Sequence, residues 1–245
     1  MNKKIVRLIK NIIKDNFFPK SKLTKDIIYL LKKNHIYSPI IFDVGAFQGN
    51  WIKNYLKIFP KLIGFLFEPY KISYEYLIKR FKSKNRLSIF NIALSSEIGT
   101  LDVNINTKPY TNSLLELDPL ASDSWENDEL KHKEKMKVIV NTLDSFYENI
   151  SKNINRINLL KLDVQGLEYE VLKGGHNLFD KKLVDIVLIE MLVAPTYKKQ
   201  SQLSKLFEFF ENYEYILYGI YDIEKGSEFG PIQQFDAIFT TKNFI

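Results

Sequence analysis

Short apolar runs alternate with helix-length stretches along most of this chain, and this alternation constrains its fold more than any other feature. Continuous apolar runs are typical of parallel strands that are covered on both faces. Strands that alternate with helices predict an α/β domain with a mainly parallel sheet. The strand-like runs are 40–42, 62–67, 87–92, 101–105, 138–143, 159–162 and 186–189, and the helix-like stretches are 50–58, 71–82, 166–179 and 199–212.

The last part of the chain follows a different pattern. Two strand-like runs, 215–221 and 235–241, are not separated by a helix-length stretch, which indicates an antiparallel hairpin at the edge of the sheet. The polar segment 106–137 joins two strands, and so long a connection in a compact domain is often a lid over a site. We therefore predict one domain over residues 38–245, with 106–137 as its lid.

The basic excess of the chain lies in its first 35 residues. The whole sequence has 35 Lys and Arg against 29 Asp and Glu. Residues 1–35 hold ten of these basic residues and two of the acidic ones, a net charge of +8, so the other 210 residues have a net charge of −2. A slightly acidic main domain disfavours a cleft that binds nucleic acid, and we expect no nucleic-acid partner.

Residues 1–37 are expected to form a basic helical appendage. Over 3–17, apolar residues recur at helical spacing on one face and Lys or Arg occupies the other. Thr24 is placed to cap a second helix. Through residues 1–35 the appendage would pack on the domain or on a second subunit, or lie on an anionic membrane surface, and these alternatives stay open.

The sequence shows neither a membrane span nor a secretory signal. No apolar run reaches the roughly 18–20 residues of a transmembrane helix, and the charged N-terminus lacks the apolar region of a signal peptide. The expected location is the cytoplasm, either free or peripheral at the inner membrane surface. The chain has no cysteine and three histidines, so disulfides and thiolate metal sites are excluded and no metal site is expected.

Four acids follow apolar runs at or near their ends: Asp43, Glu68, Asp163 and Glu190. In open α/β sheets, ligands bind outside the carboxyl ends of the strands. One such acid could simply cap the next helix. Four of them together predict a ligand site at this edge of the sheet.

The segment from Phe42 to Trp51, FDVGAFQGNW, has the order of a strand, a glycine turn and a helix start. It lacks both the G-x-G-x-x-G spacing of a dinucleotide site and the Lys-Ser/Thr pair of a phosphate loop. Asp43, two residues before Gly45, would repel a pyrophosphate but suits a cationic sulfonium. Glu68 is placed to accept hydrogen bonds from ribose hydroxyls. Together these features favour S-adenosylmethionine (SAM) over a nicotinamide cofactor.

The segment 159–168, LLKLDVQGLE, with VLKGG at 171–175, closely resembles the hallmark of the FkbM family of SAM-dependent methyltransferases. The chain has Phe47 and Gln165 where that family usually has Asn and Glu. The resemblance covers about residues 38–242. Other family-like segments occur in the family's order at 43–46 with Gly49, 67–69, 91–94, 99–101, 112–114, 142–144 and 189–190.

The resemblance implies a Rossmann-like class I methyltransferase fold with a seven-stranded, mainly parallel sheet, and methyl transfer from SAM, usually to a hydroxyl oxygen. Gly45 and Gly49 would face the methionine part of SAM, Asp43 its ammonium group and Glu68 the ribose. Asn91, Ala93 and Ser113 would line the adenine side. The implied cofactor-binding residues are Asp43, Gly45, Ala46, Gly49, Glu68, Asn91, Ala93 and Ser113.

For catalysis, Asp163 is the first candidate for the base or for the group that orients the acceptor, with helix capping as its structural alternative. Glu190 could share the site, and Glu168 could act directly or lock the turn. Members of the resembled family often modify sugars, so a small-molecule or glycan hydroxyl is the expected acceptor. The alternative is a non-catalytic membrane- or partner-binding module on the same fold.

Overall fold

The computed structural model describes residues 21–121, 125, 132–150 and 153–245, and ten strands lie within these ranges. The described strands are β1 (Ile40–Val44), β2 (Ile63–Phe67), β3 (Leu87–Phe90), β4 (Ala93–Leu94), β5 (Gly99–Asn106), β6 (His132–Asn141), β7 (Ile157–Leu162), β8 (Val184–Leu192), β9 (Tyr215–Lys225) and β10 (Ile232–Thr241). The described α-helices are α1 (Lys22–Lys33), α2 (Asn50–Ile58), α3 (Lys71–Arg80), α4 (Leu143–Ile150), α5 (Glu168–Lys173), α6 (His176–Asp180) and α7 (Leu203–Asn212).

Seven strands form the main sheet, in the order β3-β2-β1-β7-β8-β10-β9. The first five are parallel, whereas β10 runs antiparallel to both β8 and β9. The predicted fold class is therefore confirmed: a Rossmann-like, mainly parallel sheet with a C-terminal antiparallel hairpin. Among the described helices, none is long and apolar enough to cross a membrane.

A second, three-stranded sheet, in the order β4-β6-β5, was not predicted. β5 continues to residue 106 and β6 begins at 132, so the segment that joins them is shorter than the 106–137 predicted as a lid. The error arose because residues 133–135 and 137 are charged and exposed. An exposed strand end with polar residues on both faces has no apolar run to indicate it.

Helices cover both faces of the main sheet. Successive strand residues point to opposite faces, and in β1 Ile41 belongs to the apolar cluster that contains α1 while Phe42 belongs to the cluster that contains α4 and α7. The predicted helices at 50–58 and 71–82 correspond to α2 and α3. The predicted helix 166–179 is two helices, α5 and α6, separated by Gly174 and Gly175. Gly174 packs closely on Ser95, because a Cβ there would lie 2.1 Å from the Ser95 carbonyl oxygen.

Helix α1 packs on the main sheet through its apolar face, where Ile27, Leu30 and Leu31 are fully buried. Its N-cap is Ser21 rather than the predicted Thr24, because the Ser21 hydroxyl accepts a hydrogen bond from the Thr24 N–H at 3.2 Å. The predicted helix over 3–17 lies outside the described residues. The boundary at residue 37 and the docking role of residues 1–35 stay predictions.

Candidate active site

A cavity of about 490 Å³ opens at the carboxyl ends of β1, β2, β7 and β8. It lies where the strand order reverses around β1, which is where open α/β sheets bind ligands. Residues 109–114, Trp125, Thr196 and Tyr197 form its roof, so part of the predicted lid does line the cavity. The structure brings six predicted site residues together in the lining: Gly45, Glu68, Ala93, Ser113, Asp163 and Glu190.

The turn after β1 can hold only glycine at position 45. Gly45 has φ +78°, and a Cβ there would lie 1.8 Å from the carbonyl oxygen of Asp163. The N–H groups of Gly45 and Ala46 both donate to the Phe67 carbonyl at 3.1 Å. The ends of three neighbouring strands are thereby held against one another, and Gly45 itself lines the cavity.

Glu68 is fixed beside this turn. Its carboxylate accepts hydrogen bonds from the Phe47 N–H at 2.7 Å and from the Tyr70 N–H at 2.9 Å. The Asn91 amide donates to the carbonyls of Glu68 and Pro69, both at 2.9 Å, so Asn91 shapes this loop from outside the lining. Burial raises the pKa of Glu68 to about 7, although the two N–H donors oppose the rise.

Asp43 lies inside β1 rather than after it, and its side chain is fully buried. Its carboxylate pairs with Lys161, whose Nζ is 3.3 Å from Asp43 Oδ1, 3.0 Å from Asp163 Oδ2 and 3.2 Å from the Gly45 carbonyl. Burial raises the pKa of Asp43 to about 6, against the opposing effect of Lys161. Asp43 is not part of the cavity lining, and its neighbour in the structure is the buried Lys161. Its expected contact with the ammonium group of the cofactor stays a prediction.

Gly49 and Ala46 also lie outside the lining. Gly49 precedes α2 with φ +69°, and a Cβ there would lie 2.4 Å from the Phe81 ring. Close packing against α3 and against Phe81, the C-cap of α3, thus explains why position 49 is a glycine. Ala46 is buried in the same apolar cluster as α1 and α2.

Gln165 connects the two catalytic candidates that line the cavity. Its Nε2 donates to Asp163 Oδ1 at 3.1 Å and to Glu190 Oε2 at 2.9 Å. Its Oε1 lies 2.9 Å from the Tyr197 hydroxyl, and its carbonyl accepts from the Ser113 hydroxyl at 2.7 Å. One side chain thus links the ends of β7 and β8 to the roof of the cavity.

Glu168, the third catalytic candidate, is almost fully buried and does not line the cavity. Its carboxylate accepts hydrogen bonds from the N–H groups of Val164 and Gly166, both at 3.1 Å. Burial raises its pKa to about 7 despite these donors. The contacts show a side chain that holds the turn after β7, where Gln165 and Gly166 both have positive φ.

Burial, Asp163, Glu168 and Asp236 raise the pKa of Glu190 well above its usual value. Glu190 lies within β8, and its backbone is paired with that of Asp236 in β10. Burial and Asp163 also raise the pKa of Asp236, to about 7. Over the described part of the chain, no cluster of three or more His, Asp or Glu side chains could hold a metal ion.

Sequence reasoning missed Lys161 and Tyr197. Lys161 interrupts the apolar run of β7, and a lysine inside a buried strand needs a carboxylate partner, so that signal was readable. Tyr197 follows β8 by five residues in an irregular segment, and nothing in its sequence context indicates that its hydroxyl meets Gln165.

The fold and the site together define a class of protein: a Rossmann-like methyltransferase with its cavity at the carboxyl edge of the sheet. The particular family follows from the sequence. The model of the methyltransferase FkbM domain matches residues 43–217, and the chain belongs to that family.

Individual relatives are distant. The 2-O-methyltransferase NoeI of Sinorhizobium fredii (strain NBRC 101917 / NGR234) is 23% identical over 203 residues, which cover 80% of this chain and 79% of NoeI. The methyltransferase sdnD of Sordaria araneosa is 25% identical over 186 residues, 65% of this chain and 72% of sdnD. A crystal structure of precorrin-6y C5,15-methyltransferase from Geobacter metallireducens aligns over 88% of this chain and 87% of its own, with 11% identity and a TM-score of 0.46.

Proposed function

We propose that the protein is a SAM-dependent O-methyltransferase that acts on a hydroxyl of a sugar or glycan-like acceptor. Membership of the FkbM methyltransferase family supports the reaction class, and the relative named as a 2-O-methyltransferase supports oxygen as the methylated atom. The observation that carries the proposal is the Gly45 turn beside the Glu68 carboxylate, both facing one cavity at the carboxyl edge of the sheet.

The lining residues of this end fit SAM. Gly45 lines the cavity, so the amino-acid part of the cofactor can lie against this turn. The Glu68 oxygens keep lone pairs for two ribose hydroxyls after accepting from Phe47 and Tyr70. Ala93 lies between Ile92 and Leu94 in the lining, which gives an apolar wall for the adenine.

SAM, when bound, supplies a methyl group on a positively charged sulfur, which makes the methyl carbon electrophilic. The protein has to orient the acceptor hydroxyl and take its proton as the new oxygen–carbon bond forms and the carbon–sulfur bond breaks. Asp163 accepts from Lys161 on one oxygen and from Gln165 on the other. Glu190 accepts only from Gln165 among the described residues, and its pKa is raised. We therefore assign the proton to Glu190 and the orientation of the hydroxyl to Asp163.

Calorimetric titration with SAM and with its demethylated product, S-adenosylhomocysteine (SAH), tests the cofactor. Both should bind. Glu68→Ala should weaken both at least about tenfold, because hydrogen bonds to a charged group contribute roughly 1.5–3 kcal/mol. Glu75→Ala, on the exposed face of α3, is the matched control and should change neither affinity. A folded protein that binds neither ligand would refute the proposal.

The acceptor is tested by SAH release from SAM in the presence of mono- and oligosaccharides. We expect turnover with at least one sugar hydroxyl and its loss in Glu190→Gln. Turnover only with amine or carbon acceptors would replace O-methylation by another methyl transfer.

A further inference from the structure

The charged side chains that line the cavity are all acidic. Four carboxylates face it, from Glu68, Asp163, Glu190 and Glu224. No Lys, Arg or His side chain is among the lining residues within the part of the chain that the structure describes. A phosphate or carboxylate ligand is normally held by such cations or by free backbone N–H groups.

The nearest cation is already engaged. Lys161 is buried behind Asp163 and is shared between Asp163 and Asp43, at 3.0 and 3.3 Å. Glu190 forms no ion pair with any described residue, and its carboxylate meets only the neutral amide of Gln165. The acceptor end therefore contains more carboxylates than cations before any ligand enters.

Several backbone N–H groups beside this end are also engaged. The N–H groups of Val164 and Gly166, in the turn after β7, donate to the Glu168 carboxylate. The N–H of Tyr169 donates to the Ser201 hydroxyl at 2.9 Å. Glu168 thus occupies two N–H donors that an anionic ligand could otherwise use, and its own carboxyl group lies behind them.

We propose that the acceptor end of the cavity, formed by Asp163, Gln165 and Glu190, is a subsite that accepts cations. It takes an acceptor whose hydroxyl belongs to a neutral or amine-bearing molecule. It excludes acceptors that have a phosphate or carboxylate beside the reacting hydroxyl. The inference rests on the proposed function, because it concerns the acceptor side of the same site. It narrows the sugar-like acceptor to neutral sugars and amino sugars.

Sinefungin is the probe for the charge of this subsite. It resembles SAH but has an amine-bearing carbon in place of the sulfur, so it places an ammonium group where the methyl group is transferred. By calorimetry at pH 8, sinefungin should bind at least about tenfold more tightly than SAH. Glu190→Gln should reduce that ratio several-fold, whereas Glu75→Gln, on the exposed face of α3, should leave it unchanged.

The titrations distinguish a failure of the subsite proposal alone from a failure of the proposed function. If SAH binds and sinefungin binds no more tightly, the cofactor assignment stands and the subsite proposal is overturned. If neither binds to the folded protein, both fail together. A second titration adds glucosamine, glucose 6-phosphate or inorganic phosphate to the SAH complex: saturable binding of either phosphate would overturn the subsite proposal, and its absence is the expected result.

Discussion

The two ends of the cavity are built by different parts of the polypeptide. The end that we propose binds the cofactor, called the cofactor end below, contains Gly45 and Glu68. There the Gly45 backbone lies against the Asp163 carbonyl, and backbone N–H groups hold the Glu68 carboxylate. At the acceptor end, side chains from distant segments meet, with Gln165 between Asp163 and Glu190. A backbone-built end requires particular residues at fixed spacing, whereas a side-chain network can change its chemistry by single substitutions.

The steric requirement of the cofactor end is tested by Gly45→Ala. The added Cβ would lie 1.8 Å from a backbone oxygen at a residue with φ +78°, so the free energy of unfolding should fall by about 4 kcal/mol or more. Gly99→Ala is the control, because nothing lies within 4 Å of its Cβ position. Urea denaturation measures both, and equal losses would contradict the steric account.

Lys161 lies between the two ends, and Lys161→Met tests whether they depend on one cation. The change leaves Asp43 buried without its ion pair, so the free energy of unfolding at pH 8 should fall by about 3–5 kcal/mol. Lys135→Met breaks the exposed pair with Glu116 and should have no measurable effect. A small loss for Lys161→Met would mean that the two ends are independent.

Glu168 makes the stability of the acceptor end depend on pH. Its pKa is about 7 in the fold and near 4.5 when unfolded, so the fold favours the protonated form. The stabilising contribution of Glu168 to the free energy of unfolding is complete below pH 4.5 and is lost as the pH rises through about 7. The change is on the order of 3 kcal/mol.

Denaturation curves between pH 4.5 and 8 test this dependence. The wild-type protein should lose stability over this range, and Glu168→Gln should lose less. Glu68→Gln, at the cofactor end, should also lose less, because Glu68 has a similarly raised pKa. An equally steep loss in all three proteins would contradict the assignment to these two groups.

The smallest expected effect is at Gln165. Gln165→Glu removes the amide that donates to Asp163 and Glu190 and adds a third acid between them. We expect a loss of about 1–2 kcal/mol at pH 8 that shrinks at pH 5, where the carboxylates take up protons. Gln234→Glu, whose amide contacts the exposed Glu224, should stay within about 0.5 kcal/mol. Equal losses in the free energy of unfolding for the two variants would show that the contacts of Gln165 with Asp163 and Glu190 are not the cause.

The difference between the ends explains what the sequence could predict. The main sheet, α2 and the Gly45 turn follow from apolar runs and glycine spacing, which are local features. Asp43 and Glu190 were expected after their strands but lie inside them, because an acid can be buried in a strand when a distant residue satisfies it. Lys161 forms an ion pair with Asp43, and Gln165 donates to Glu190, and such partners depend on how neighbouring strands and the turns after them are placed.

The three-stranded sheet could not be predicted from the sequence for a related reason. Its strand β6 begins with charged, exposed residues, so neither periodicity nor an apolar run indicates where it starts. The roof residues that depend on it, such as Ser113, could be placed only through the resemblance and not through their own pattern.

The roof of the cavity is attached to the small sheet. Asn104 and Ser113 exchange backbone hydrogen bonds at 2.7 and 3.3 Å, and the Asn106 N–H donates to the Asn112 side chain at 2.8 Å. The floor belongs to the main sheet.

The two sheets meet at Gln165, which accepts hydrogen bonds from the roof residues Ser113 and Tyr197, whereas within the described part of the chain no side-chain hydrogen bond joins these two residues to the Gly45 turn. A substitution at Ser113 or Tyr197 would therefore be felt first around Asp163 and Glu190 and only indirectly at the Gly45 turn.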